Sequence, residues 1–234
     1  MGLTTQRGEF RRTARELRRY FRALLLHFGP QRWWPARTRL EVILGAILTQ
    51  NTTWRNAELA IGELRREGLL HLGQLRGTSQ EELARLIRSA GFYRQKARAI
   101  RAFLDWLDRE CRGSIPRLFS LPPEEARSKL LTVKGIGPET VDAILLYAGR
   151  HPVFVADAYT RRILARHRMI PPSAGYAAAQ LFLQKHLRRD YALYNEYHAL
   201  LVEVGKQFCR RDTPRCESCP LRSFLPTPLP TSKA

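Results

Sequence analysis

Between Leu40 and Leu48 the chain places apolar side chains on nearly every side of a helix. Such a helix belongs at the centre of a bundle, with other helices around it. The flanking sequence supplies those helices. Apolar residues recur at helical spacing in Leu17, Phe21, Leu24, Leu25 and Phe28, in Ala97, Ile100, Phe103, Leu104 and Leu107, and in Leu193, Tyr197, Leu200, Leu201 and Val204. Start and stop signals agree: Ser79 with Glu82 predicts a capping box, Gly91 a helix end, Pro138 a first turn and Gly149 a close. Only Val153-Phe-Val155 reads as extended, and three residues make a connector more readily than a strand. The expected class is all-α. From Pro220 onward Pro226, Pro228 and Pro230 break any period, so 220–234 reads as a disordered tail.

Charge narrows the partners. Lys and Arg number 40 against 21 Asp and Glu, a formal charge of +19, and the excess is mostly arginine, which suits phosphate better than a membrane. No apolar run approaches the roughly 20 residues of a membrane span, and the first residues lack the apolar core of a secretory signal. The reading is a cytoplasmic, bacterial-type intracellular protein, nucleoid-associated, with no membrane partner. No sustained heptad argues for association, so a monomer is expected.

The run Thr132-Val-Lys134-Gly135-Ile136-Gly137-Pro138-Glu139-Thr140 joins two helices. Its glycines let backbone amides approach an anion, the helix opening at Pro138 adds its dipole, and Lys134 adds a counter-charge. Two glycines also suit a plain tight turn. Beyond the next amphipathic helix comes Val153-Phe-Val-Ala-Asp157-Ala-Tyr-Thr-Arg161, so hairpin, helix, extended stretch and aspartate form one ordered unit.

In that order the chain resembles the helix-hairpin-helix (HhH-GPD) superfamily of DNA glycosylases, to which endonuclease III belongs, over about Trp33 to Cys219. The resemblance implies two helical lobes with a DNA-binding cleft between them. One lobe would be a six-helix bundle over 41–151; the other would combine 1–40 with 152–219. The implied partner is double-stranded DNA containing a damaged base, gripped by Lys134, Gly135, Ile136, Gly137 and Thr140. Asp157 is the implied catalytic carboxylate. A fixed carboxylate near C1′ stabilises the oxocarbenium character that develops as a glycosidic bond breaks; the same aspartate also suits a helix N-cap.

Members that also cut the strand use a lysine two residues past the second glycine as a Schiff-base nucleophile. Here that residue is Glu139, which cannot form an imine, so the chemistry expected is base release without strand cleavage. Gln50, in Leu48-Thr-Gln50-Asn51, resembles the residue that fills the space of the extruded nucleotide, and Phe92, in Gly91-Phe92-Tyr93, the opposite wedge. Trp34 and Trp54, with Glu139, are read as the base pocket; indole faces favour a cationic alkylated purine. With Trp33-Trp34-Pro35, these features look more like the 3-methyladenine DNA glycosylase III group than endonuclease III. Lys206 matches a basic residue of that group near its aspartate.

Cys209, Cys216 and Cys219 have the C-x6-C-x2-C spacing that opens the [4Fe–4S] loop of endonuclease III, but Leu225 stands where a fourth cysteine belongs. An iron–sulfur cluster, complete or degenerate, and a metal-free remnant both stay open, and catalysis needs neither. Two further readings compete: an endonuclease III-like enzyme for oxidised or mismatched pyrimidines, and a non-catalytic DNA-binding homologue.

Overall fold

The computed structural model describes residues 2–226, with side chains from Arg7 onward. Its α-helices run α1 (Gly2–Phe28), α2 (Arg39–Leu48), α3 (Trp54–Arg66), α4 (Leu72–Gly77), α5 (Gln80–Leu86), α6 (Tyr93–Cys111), α7 (Ile115–Ser120), α8 (Pro123–Leu130), α9 (Pro138–Ala143), α10 (Ala158–Arg166), α11 (Tyr176–His186) and α12 (Tyr191–Gln207). No strand occurs among the described residues. They divide into two compact units, Trp34–His151 and the paired segments Met1–Trp33 with Pro152–Ala234. Residues 34–40, which the sequence reading grouped with the chain ends, therefore belong to the central unit.

In the central unit every residue from Leu40 to Leu48 is buried, as a helix apolar all round requires. Thr38 caps it by accepting from the Glu41 N–H at 3.2 Å. Glu41 is the one buried charge on α2; its carboxylate accepts from the Arg37 N–H at 2.7 Å and pairs with Arg65 at 3.4 Å. At Ser79 only half of the expected capping box forms. Its hydroxyl accepts from the Glu82 N–H, while the Glu82 carboxylate turns to Arg85. Helix α9 continues as a π-turn over Ile144–Ala148, which presents Tyr147 to Trp34 with centroids 5.0 Å apart.

In the other unit α1 and α12 share a core through Leu17, Tyr20, Leu24, Tyr197 and Leu201, and the Tyr197 hydroxyl donates to the Leu17 carbonyl at 2.9 Å. The segment beyond Pro220 departs from expectation. Leu221 is fully buried and Phe224 packs on Tyr20 at 4.7 Å, so apolar anchoring orders 220–226 despite the prolines. Residues 227–234 of the expected tail lie outside the described residues.

Candidate functional site

Within the central unit, segments far apart in sequence converge. Gln50, Asn51, Phe92, Gln95, Lys96, Arg98, Ala99, Lys134 and Gly135 line one cavity of about 530 Å³. The Gln50 segment, the Phe92 segment and the hairpin thus meet at one concave surface. Gln50 Nε2 donates to the Gly135 carbonyl at 3.2 Å and to the Thr140 hydroxyl at 3.0 Å, tying the end of α2 to the hairpin.

The hairpin depends on one of its glycines. Gly135 has φ +87, and a Cβ there would lie 3.0 Å from that of Ala99. Gly137 has an ordinary extended backbone, and a Cβ there meets nothing within 4 Å. Two of the expected DNA contacts face inward. Ile136 is buried and its N–H donates to the Val133 carbonyl, so it anchors the turn instead of offering a free amide. Thr140 is likewise buried, its hydroxyl taken by Gln50. Lys134 remains exposed.

Phe92 is 62% exposed and sits at φ +45, a strained combination for a bulky residue that reduces stability unless something recovers the cost. Behind it lies Lys96, whose part in the cavity the sequence reading left unassigned. Its buried Nζ donates to the Leu48 carbonyl at 2.8 Å and the Ala90 carbonyl at 2.7 Å, bracing the loop of Gln50 against that of Phe92. Burial lowers its pKa to about 8.

A second concave surface of about 390 Å³ includes Trp34, Glu41, Trp54, Glu58 and Arg65. The two indoles do not form a base-wide slot: they touch edge to face, centroids 5.0 Å apart at 88°. Trp34 is held there because Gly45 has no Cβ, which would fall 3.0 Å from the ring. Glu139 lines neither cavity; it is exposed in the first turn of α9.

In the unit of the chain ends, the extended lead-in to Asp157 is buried, and with no sheet its backbone needs other partners. Two glutamines of α11 supply them. Gln184 Oε1 accepts from the Phe154 N–H at 2.9 Å and Gln180 Nε2 donates to the Phe154 carbonyl at 2.7 Å. Asp157 then caps α10, its Oδ1 accepting from the Thr160 N–H at 2.8 Å. Its Oδ2 lies 3.6 Å from His198 Nε2, the side chains 14% and 10% exposed. Burial works to raise its pKa, but His198 and Thr160 together hold the carboxyl below the usual aspartate value. That depression stabilises the fold at neutral pH and is lost as pH falls through the acid range.

His198 is the neighbour of Asp157 that sequence reasoning missed. It is itself one of the buried residues of α12, where a histidine adds nothing to the apolar period. Lys206 is exposed on α12 and pairs with Glu203 at 2.8 Å.

The three clustered cysteines come together at one void of the unit that holds the chain ends. They line a void of only about 20 Å³ together with Leu225, Ile163, Val204 and Phe208, room for about one water. Among the described residues no group of three or more His, Cys, Asp or Glu is arranged to hold a metal ion. The loop is tied down by a buried guanidinium: Arg166 donates to Cys209 Sγ at 3.3 Å and to the carbonyls of Arg210 and Arg211. Leu225 offers carbon where a fourth thiolate would be needed. Cys111 is buried apart from them.

The chain as a whole is similar to known proteins. Residues 44–189 match the HhH-GPD superfamily of base excision DNA repair proteins. The chain is 41% identical over 206 residues to "Putative DNA repair glycosylase MJ1434" of Methanocaldococcus jannaschii, covering 87% of this chain and 93% of that one. Among solved structures it is similar to the H. pylori 3-methyladenine DNA glycosylase MagIII bound to 1,N6-ethenoadenine, with TM-score 0.70 and 26% identity over 85% of this chain and 97% of that one. It also shares its fold with endonuclease III trapped in a covalent intermediate with DNA, at TM-score 0.77 and 21% identity, covering 91% and 95%. With the family matched across most of its length and its hairpin and aspartate in the expected order, the chain belongs to the HhH-GPD superfamily of base excision DNA repair proteins.

Proposed function

We propose that this protein is a monofunctional DNA glycosylase that hydrolyses the N-glycosidic bond of a flipped-out alkylated purine such as 3-methyladenine, acting as an intracellular monomer on double-stranded DNA. The observation that carries the reading is the carboxylate of Asp157, ionised at neutral pH and fixed at the start of α10.

An alkylated purine is cationic, and its bond to C1′ breaks with the electron pair leaving on a base that becomes neutral. No general acid is then needed for departure. What the reaction needs is a negative charge facing the oxocarbenium ion, and a group that orients the water adding to C1′ and takes up its proton. Asp157 supplies both functions. Capping holds its Oδ1 still, and Oδ2 faces His198.

The hairpin grips phosphate through Lys134 and the amides at Gly135 and Gly137, with Ile136 and Thr140 as buried supports. Phe92 and Gln50 fill the gap left by the extruded nucleotide; strain at Phe92 supports a wedge held in readiness. Trp34 and Trp54 offer edges and single faces to a base, a stacking that favours positive charge. Glu139 lies outside that pocket, and its part in the reading is the missing imine chemistry alone. This chemistry needs no metal, and an iron–sulfur cluster held by Cys209, Cys216 and Cys219 would be structural.

Incubation with duplexes containing 3-methyladenine, thymine glycol or uracil opposite guanine, each with and without hot alkali, tests this. Release of the methylated base with strand breaks only after alkali is the expected result. Breaks without alkali exclude the monofunctional assignment, and release from the pyrimidine duplexes alone moves the substrate to oxidised or mismatched pyrimidines. No release from any of the three leaves a DNA-binding homologue.

His198 gives a sharper check on Asp157. Removing a group that depresses the aspartate pKa moves the acid limb of the single-turnover rate upward in pH. In His198→Gln we expect that limb to rise by about one pH unit, with the neutral plateau falling less than tenfold; an unmoved limb removes His198 from the account.

A further inference from the structure

Helix α1 carries seven arginines and two glutamates in 27 residues. Arg7, Arg11, Arg15, Arg18 and Arg22 are all exposed, and at 3.6 residues per turn they fall within about 80° of arc along about 22 Å of axis. Ion pairs form at several exposed positions elsewhere, as in Arg66 with Glu63, Arg76 with Asp108, Arg85 with Glu82 and Lys129 with Glu110. None of the ion pairs among the described residues involves these five arginines, and what sets them apart is that they share one face of one helix.

Like charges at i, i+4 on a helix cost stability, so a row of them without counter-ions is maintained against the folding of α1 itself. We propose that this stripe is an accessory docking surface for the sugar–phosphate backbone of duplex DNA, additional to the hairpin. The spacing suits it. With both strands counted, the duplex presents a phosphate every ~1.7 Å of helix axis, so a straight row of ~22 Å meets several of them without following either strand around the axis, and guanidinium groups match phosphate oxygens in geometry as well as charge.

An anionic membrane is the weaker candidate. A helix lying on lipid must insert an apolar face, and that face of α1, with Ala14, Leu17, Tyr20 and Leu24, is buried in the protein's own core. The inference rests on DNA as the partner and not on the chemistry at Asp157.

The test is the full-length triple variant Arg11→Gln/Arg15→Gln/Arg18→Gln, titrated with an undamaged 30-base-pair duplex from 50 to 300 mM KCl. Each lost phosphate contact lowers the slope of log K against log salt by about 0.9. The expected result is a slope smaller by two to three and affinity at 100 mM KCl at least tenfold weaker, with thermal unfolding kept or slightly raised, since the three side chains are exposed and their loss relieves like-charge repulsion along α1. At saturating enzyme, any base release by the parent protein is retained. An unchanged slope overturns the proposal. So does binding of the parent protein to phosphatidylglycerol vesicles that the variant loses while its DNA slope stays the same. If no duplex loses a base but the slope still falls, the docking surface stands and the glycosylase assignment is what fails.

Discussion

Asp157→Asn lowers base release by about 10³-fold in single-turnover rate, or ~4 kcal/mol of transition-state stabilisation, while DNA binding is kept and the chain still folds, less the stability the ionised carboxylate gains from His198 and Thr160. Asparagine separates the two roles of this residue. It is as good an N-cap as aspartate, so α10 keeps its bond to the Thr160 N–H and the helix start does not move. It lacks the charge, so nothing opposes the cation developing on the sugar, and it takes no proton from water. Comparable salt-dependent binding of variant and parent, beside a lost rate, assigns the residue to chemistry. Equal rates reduce Asp157 to a cap. A variant that loses both binding and thermal stability points to a structural role of the carboxylate against His198.

The second large effect is structural and lies away from DNA contact. Gly205 on α12 faces Tyr159, two residues beyond Asp157, and a Cβ at 205 would fall 2.2 Å from Tyr159 Cδ1 and 2.6 Å from its Cβ. The ring has little freedom to retreat, because Arg162 lies 5.1 Å over it while donating to the carbonyls of Gly205 and Cys209. Gly205→Ala must therefore push α10 from α12. Overpacking of this kind costs about 3 kcal/mol, or roughly 6–12 °C in Tm. The displaced element begins with the capping aspartate, so base release falls at least tenfold at temperatures where the variant is still folded. Calorimetry beside single-turnover kinetics checks both, and an unchanged Tm removes this helix contact from the account.

Much of the architecture was legible because its signals are local. The all-round apolarity of Leu40–Leu48 announces a central helix, and α2 is buried along that whole stretch. Ser79, Pro138 and Asp157 stand where helices begin, because capping depends on a few adjacent residues. Gln50, Phe92, Lys134 and Gly135 could be quoted from their motifs, although their convergence on one cavity is a tertiary fact.

What escaped depends on partners distant in sequence. His198 reaches Asp157 across 41 positions, and Lys96 spans two helix ends through carbonyls that have no sequence signature. Ile136 and Thr140 sit in a motif associated with DNA, yet packing against the hairpin turns both inward. The prolines after Cys219 suggested disorder, but Leu221 and Phe224 reach apolar neighbours that no local pattern reveals. The cysteine spacing could be read locally, but the buried Arg166 that donates to Cys209 Sγ and ties down their loop lies 43 positions away and has no sequence signal.

The most direct measurement is a crystal structure of the protein on a duplex carrying a tetrahydrofuran abasic analogue. The account predicts the analogue sugar turned out of the helix, with an Asp157 carboxylate oxygen within about 4 Å of its C1′ position, as an electrostatic contact on a developing cation requires. A complex in which the sugar stays stacked in the duplex, or in which Asp157 touches only Thr160 and His198 with no nucleotide beside it, contradicts the account.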